Sequence, residues 1–527
     1  MIRNKIQDWL WENKIEGRLE HPADKKFGDF SVRTGSEVKL TNSDLVDKVE
    51  FVAGFTNIYI SPEVLVDRAQ KIKDGGFKKD LAMRGKNKTM VIDYSSPNIA
   101  KAFGIGHLRS TNIGQAIYNL YEILGWKCIG DNHLGDWGTQ FGKLIVAIKK
   151  WGEIGVDKMT VSDLEKLYVK FHQEAKKDDS LVEEGRKWFV KLEKGDAEAR
   201  SIWQKCVEIS LKEFNKIYDL LGVKIDYAHG ESFYEDKMPA VVKMLVDKNL
   251  VKESQGAKIV EFENMPPAMV EKSNGTTTYF TRDLAAIKYR VETWNPDLII
   301  YEIGADQSLH CRQVFETAKR LGFTNDFYHV AHGLIRWEGG KFSTRRGETI
   351  HLSEVINRAM EEAKKIAPSN SQKQIKAVAI GAIKFNDLAQ DPKKDIVFDW
   401  QRVMSMEGNS GPYLQYTYAR CVSVMAKKKL DARNQKPEKE NWNEEEMNLL
   451  REFYKFEEKI VEAADRFAPS VLAEYLLNLA RSYNEFYAKN RIIGEKEESR
   501  RLFLTESTAS ILKQGLDLLG IETVEKM

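Results

Sequence analysis

Three hydrophobic regimes follow one another along this chain. The first stretch, to about residue 85, mixes two periods. Ile6, Leu10 and Trp11 recur at helical spacing, while Val49–Val52 and Asn57–Ile60 read as short strands around a turn at Gly54. A small α+β unit is expected there. From about 86 to 390, apolar runs alternate with helical patterns. Met90-Val91-Ile92 predicts a buried strand, a second run ends near Asp131, and Asp297–Tyr301 is the clearest later one. This alternation predicts a parallel sheet with crossover helices. A charged stretch from about 145 to 230, including Lys176-Lys177-Asp178-Asp179, reads as an inserted helical region with solvated faces. Past about 400 the strand signals stop. Lys427-Lys428-Lys429 precedes a polar connector, Asp431 to about Glu446, and then Phe456, Ile460, Ala463, Leu472, Leu476, Leu479 and Tyr483 recur at helical spacing.

One junction in the middle region carries candidate chemistry. After the Met90–Ile92 run comes a Pro/Gly-containing loop with Lys101, Gly104, Gly106 and His107. Leu108, Ile113, Ile117, Leu120 and Leu124 then keep helical spacing up to Gly125. A helix N-terminus behind a strand offers unpaired N–H groups and a positive dipole end to a phosphate. Gly106 allows close backbone approach, and His107 adds a directed donor. A second junction, Asn132 to Gly142, follows the strand ending near Asp131. A glycine-flanked basic loop, Gly339 to Gly347, carries Lys341, Ser343, Arg345 and Arg346 and suits a polyphosphate.

Composition narrows the classes further. At 527 residues the chain is too long for one core. Lys+Arg (81) and Asp+Glu (79) nearly cancel to +2, so any nucleic-acid surface must come from local clustering. No apolar run approaches the roughly 20 residues that span a bilayer. Four scattered cysteines without a Cys-x-x-Cys pair argue against a zinc site or a disulfide framework. A cytoplasmic location is expected.

These segments together resemble class I aminoacyl-tRNA synthetases, and within them the arginyl-tRNA synthetases. Gly104-Ile105-Gly106-His107 sits where that class carries its HIGH tetrapeptide, and Lys341-Phe342-Ser343-Thr344-Arg345 where it carries KMSKS. Ser95 to Asn98, Asn132 to Gly142, Tyr279 to Asp283, Gly304 to Gln307 and Gly411 to Tyr416 are similar to segments of the arginine branch. The resemblance implies a multidomain α/β protein. Residues 1–85 would form an additional N-terminal domain holding the tRNA elbow, possessing a shortened middle. Residues 86–395 would form a Rossmann-like catalytic domain with the helical insertion, and 396–527 an all-α anticodon-binding domain.

The implied reaction is attack of the arginine carboxylate on the α-phosphate of ATP, then transfer of arginine to the terminal ribose of tRNA-Arg. Such chemistry needs alignment and charge stabilisation, not a protein nucleophile. His107, Lys101, Lys341 and Arg345 are the implied catalytic donors and cations. Gly104, Gly106, His310, Ser343 and Arg346 join His107 and Lys341 in holding ATP, which brings Mg²⁺ with it. No protein-bound metal is expected. Asp283 and Tyr279 are implied to face the guanidinium. A carboxylate pairing with both guanidinium nitrogens separates arginine from lysine. Asp93, Asn98 and Gln307 are implied at the α-amino and carboxylate groups. Asp283 also reads as a helix N-cap ahead of Leu284.

For RNA, the resemblance implies Tyr413, Tyr416, Arg420, Tyr487 and Met527, with Gln415 beside them. Single-stranded bases are read by stacking and edge hydrogen bonds. The expected partners are tRNA-Arg, arginine and ATP, acting on a monomer. One departure stands out: Gly104 replaces the usual first histidine of HIGH. A lost hydrogen bond to a charged group costs about 1.5–3 kcal/mol, roughly 10- to 150-fold in rate. The alternative reading is a non-catalytic or weakened relative that binds tRNA or arginine.

Overall fold

The computed structural model describes residues 1–337, 351–368, 370–427 and 442–527. Twelve strands are labelled here in chain order. β1 (Phe30–Arg33), β2 (Val46–Val52) and β3 (Phe55–Ile60) form an antiparallel sheet in the order β1-β3-β2. β4 (Thr89–Asp93), β5 (Lys127–Asp131), β9 (Leu298–Gly304) and β10 (Asp326–His332) form the central sheet. β6 (Lys252–Ser254), β7 (Ala257–Val260) and β8 (Ala268–Glu271) make a third, and β11 (Ile335–Trp337) pairs with β12 (Ile396–Phe398).

The central sheet is parallel, in the order β10-β9-β4-β5. Its inner strands are apolar on both faces because helices cover both: Met90, Val91, Ile92, Ile299 and Ile300 are fully buried. The chain leaves β4 toward β5 and returns on the other side of β4 to β9. Ligands bind outside the strand ends at such a reversal. The helix Ile105–Ile123, which follows β4, is buried along most of its length. Arg109 fastens it, its Nε donating to Asp387 Oδ1 at 3.0 Å and Nη1 to the carbonyls of Gly333 and Lys394.

The inserted region is helical, with Val161–Ala175, Ser180–Glu193 and Ala197–Leu221. The small β6–β8 sheet that follows it was not expected. The C-terminal region is built from Gly411–Ala426, Glu444–Phe453, Lys455–Asp465, Ser470–Lys489 and Glu498–Leu518. Its helices pack on the N-terminal unit through partly buried charge pairs, Arg68 with Glu457 and Arg3 with Glu458. Lys384, fully buried, donates to the carbonyls of Leu221 and Gly520 at 2.7 Å each, tying insertion, catalytic region and C-terminal tail together. Among the described residues no helix is long and apolar enough to cross a membrane.

Four expectations change. In the first helix, Ile2–Glu12, the buried face carries Ile2, Ile6, Trp9 and Leu10, while Trp11 is 61% exposed. Trp9 wins the inner position because its indole reaches the Thr41 carbonyl at 3.2 Å. β12 falls inside the span expected to be wholly helical, since it completes a ladder with β11. Glu446 is not connector: it lies in the helix Glu444–Phe453, fully buried between Arg500 and Arg501. Gln415 faces no solvent. It is fully buried and donates to the carbonyls of Ala377 and Glu522.

Candidate active site

The approach to the helix Ile105–Ile123 is backbone under strain. Ser95, Ser96 and Ala100 all hold positive φ, 78°, 43° and 61°. Each such non-glycine residue costs of order 1–3 kcal/mol and needs its surroundings to hold it. Here the Ser95 amide donates to Ser110 Oγ at 2.8 Å, and the Ser96 amide to Asn132 Oδ1 at 2.9 Å. Asn98 forms a parallel bridge with Gly135. A Cβ at Gly135 would lie 2.4 Å from Asn98 Oδ1, so a side chain there would displace the Asn98 amide. The two junctions read from the sequence are therefore one structure, zipped together over the ends of β4 and β5.

His107 is the third residue of its helix. Its Nδ1 accepts the Gly104 amide at 3.2 Å. An amide only donates, so Nδ1 is bare and the proton of the neutral ring sits on Nε2. Burial, with a contribution from the charge of Lys101, pushes the imidazole down to about 4. His107 is thus a neutral donor at a helix N-terminus. Lys101 is exposed, with its ammonium 6.0 Å from the Tyr168 ring. Gly106 is open: nothing lies within 4 Å of an added Cβ.

Ser96 and Asn98 of the loop leading into this helix line a hollow of about 290 Å³ at the ends of β4 and β9. Asp93, Asn98, Asp283, Gln307 and His310 line it, as do His133, Glu231 and Tyr301. Its size is at the low end for small-molecule pockets. Three carboxylates face one small space. Asp93 and Asp131 are directly paired in register on adjacent strands, which would set two buried anions side by side. Arg290 resolves this, its Nη2 2.7 Å from Asp93 Oδ2 and its Nε 2.8 Å from Asp131 Oδ2. Asp283 pairs with His310 Nε2 and stands 4.0 Å from His133 Nε2. Burial works against its ionisation, but the His310 hydrogen bond and charge hold it below the usual carboxylate range. Burial raises Glu231, which Arg282 only partly offsets. A hollow rich in acceptors suits a cationic guest carrying several N–H groups.

Tyr279 is 65% exposed and lies edge-on to His310, with centroids 4.9 Å apart, at the rim of the hollow. The N-cap alternative for Asp283 fails: the helix begins at Tyr279 with Thr278 at the N-cap position, so Asp283 lies within it. His310 stands with the amino-acid candidates rather than beside His107. Lys341, Ser343, Arg345 and Arg346 lie outside the described residues.

Residues 73–400 match the family of class I tRNA synthetases (R), catalytic domain, and residues 414–527 match the DALR anticodon binding domain. The chain belongs to the arginyl-tRNA synthetase family. It is 39% identical to an arginine–tRNA ligase of Halothermothrix orenii over 100% of this chain and 98% of that protein. It is 40% identical to one from Clostridium kluyveri, covering 98% and 97% of the two chains. An arginyl-tRNA synthetase structure from Plasmodium falciparum superposes with a TM-score of 0.83 at 26% identity, over 100% of this chain and 98% of that one.

In this arginyl-tRNA synthetase fold, the anticodon-domain candidates gather on a second surface. Tyr416, Arg420, Tyr487 and Met527 line a cleft of about 530 Å³ with Asn370 and Gln374. The Arg420 guanidinium sits 4.8 Å from the Tyr416 ring and 5.0 Å from the Tyr487 ring. Tyr413 lies outside that lining, its hydroxyl accepting from Asn484 Nδ2 at 2.9 Å. Sequence reading missed Glu231, His133 and Arg290. His133 lay inside a quoted motif without a role. Glu231 and Arg290 carry no local signal, because their partners are brought by the fold.

Proposed function

We propose that this synthetase is an arginine–tRNA ligase that activates L-arginine with ATP and Mg²⁺ and esterifies the terminal ribose of tRNA-Arg. The observation that carries the reading is an acceptor-rich hollow lined by the same loop, Ser96 and Asn98, that leads into a helix N-terminus bearing a neutral histidine donor. In this account the guanidinium enters the hollow toward Asp283 and Glu231. Asp93, Asn98 and Gln307 hold the α-amino and carboxylate end. That end then faces the start of the helix Ile105–Ile123, where an ATP phosphate accepts from His107 Nε2 and from the open backbone at Gly106. Lys101 adds positive charge there, and Lys341 and Arg345 act from the basic loop. Holding both reactants aligned removes much of the entropic barrier, and fixed donors stabilise charge building on the phosphate. Mg²⁺ enters as part of the ATP complex.

The cleft at Tyr416, Arg420, Tyr487 and Met527 receives anticodon bases, whose faces stack on tyrosine and arginine. Residues 1–85 support the tRNA elbow. The protein works as a monomer in the cytoplasm. No feature of the described residues favours the non-catalytic alternative. The test is arginine-dependent exchange of pyrophosphate into ATP, run with tRNA-Arg present. Exchange with arginine and none with lysine or citrulline is expected. Equal exchange with lysine would reject Asp283 as the selector.

A further inference from the structure

Gly104 puts no side chain at the mouth of the site helix, and a histidine is paired opposite it. His351 forms an isolated antiparallel bridge with Gly104, and the amide of Leu352 donates to the Phe103 carbonyl at 3.0 Å. Directly opposed residues of an antiparallel pair send their side chains to the same face, with Cβ atoms about 4.5–5.5 Å apart. The His351 ring therefore leaves the pair on the face where a side chain at position 104 would stand.

Three further observations bear on what this ring does. His351 is the N-cap of the helix Leu352–Ile366, yet its side chain makes no capping hydrogen bond. Gly104 is the N-cap of Ile105–Ile123, so two helix N-termini meet at one bridge. Their dipoles add positive potential at the same point. The ring is one-third exposed, and Nε2 lies 3.5 Å from Glu165 Oε2, at the outer limit of a hydrogen bond. Glu165 is on the helix Val161–Ala175, which also carries Tyr168, the aromatic neighbour of Lys101. His351 thus has a loose partner, solvent access and a backbone pairing with the N-cap of the His107 helix.

We propose that His351 supplies from the facing strand the imidazole that position 104 lacks, donating from Nε2 to a phosphate oxygen of ATP during arginine activation. Glu165 holds the ring in place until the phosphate replaces it. This rests on the reading of the His107 helix start as the phosphate site.

The test is a four-member cycle, wild type, His351→Ala, Gly104→His and the double variant, assayed by pyrophosphate exchange with arginine and tRNA-Arg. His351→Ala is expected to lower kcat about 10- to 150-fold, the range for one lost hydrogen bond to a charged group, with KM for arginine unchanged. Gly104→His is expected to recover most of the loss in the His351→Ala background and to bring no such gain to the wild type. Wild-type kcat in His351→Ala, or the same Gly104→His effect in both backgrounds, would overturn the proposal. If His351→Ala melts below the wild type, the cycle is run with His351→Phe, which keeps a ring of similar bulk but has no N–H donor, and the same two outcomes decide. His107→Ala separates the layers: its loss of activity beside a fully active His351→Ala keeps the phosphate site and removes His351 from it.

Discussion

The Gly104 amide and the His107 imidazole are coupled at 3.2 Å, and this contact decides which nitrogen of the ring can serve a substrate. Nδ1 is occupied as an acceptor, so Nε2 carries the proton outward. His107→Ala should cut kcat for arginine activation by roughly 10- to 150-fold, as expected for a donor to developing phosphate charge, without raising KM for arginine. Steady-state exchange assays check this, and an unchanged kcat would remove His107 from the chemistry.

The same burial sets a pH signature. His107 titrates near 4 in the folded protein, against about 6.5 in an unfolded chain. Between those values the unfolded chain binds the extra proton. Stability from this group is therefore complete above about pH 6.5 and declines as pH falls toward 4. In ¹⁵N spectra, His107 should remain the neutral Nε2–H tautomer at pH 6. A midpoint near 6.5 would contradict the buried, amide-bonded geometry.

In the proposed reading, Asp283 selects the guanidinium. Asp283→Asn keeps shape but removes charge, and should raise KM for arginine about 10- to 150-fold while leaving KM for ATP alone. It should also narrow the preference for arginine over its neutral analogue citrulline. Competition kinetics with both amino acids measure it.

Arg290 holds two carboxylates that the sheet register forces together. Arg290→Met should destabilise the protein by about 3–5 kcal/mol, the range for stripping one partner from a buried ion pair. Asp93 would lose its anchor as well. Urea denaturation at neutral pH gives the value, and a change under about 1 kcal/mol would mean the carboxylates neutralise themselves another way.

What was readable in the chain follows a physical divide. β4 and β9 announced themselves because strands buried on both faces are nearly continuous apolar runs, whereas β5, at the sheet edge, showed only a short run ending near Asp131. The His107 helix showed its apolar spacing and its glycine stop. The β6–β8 sheet stayed hidden because its strands are three or four residues long and β6 is wholly exposed. Arg290 lies 197 residues from Asp93 and 159 from Asp131, so only the folded sheet shows that it belongs to the site. Trp9 and Trp11 sit two positions apart on one amphipathic helix, and the contact that chooses between them comes from Thr41 in a distant loop.

In the anticodon-domain cleft, the Arg420 guanidinium lies over the rings of both Tyr416 and Tyr487. Tyr487→Ala should weaken tRNA-Arg binding by about 1–3 kcal/mol, the value of one base stacked on an aromatic ring, without affecting KM for arginine. Filter binding at fixed salt measures the loss, and an unchanged Kd would place the anticodon elsewhere.

The most direct test of the whole account is charging of a tRNA-Arg transcript by the purified chain with ATP and Mg²⁺, each of the 20 amino acids offered in turn. The account predicts esterification with arginine alone. Tight tRNA binding by well-folded protein with no aminoacylation by any amino acid would contradict it.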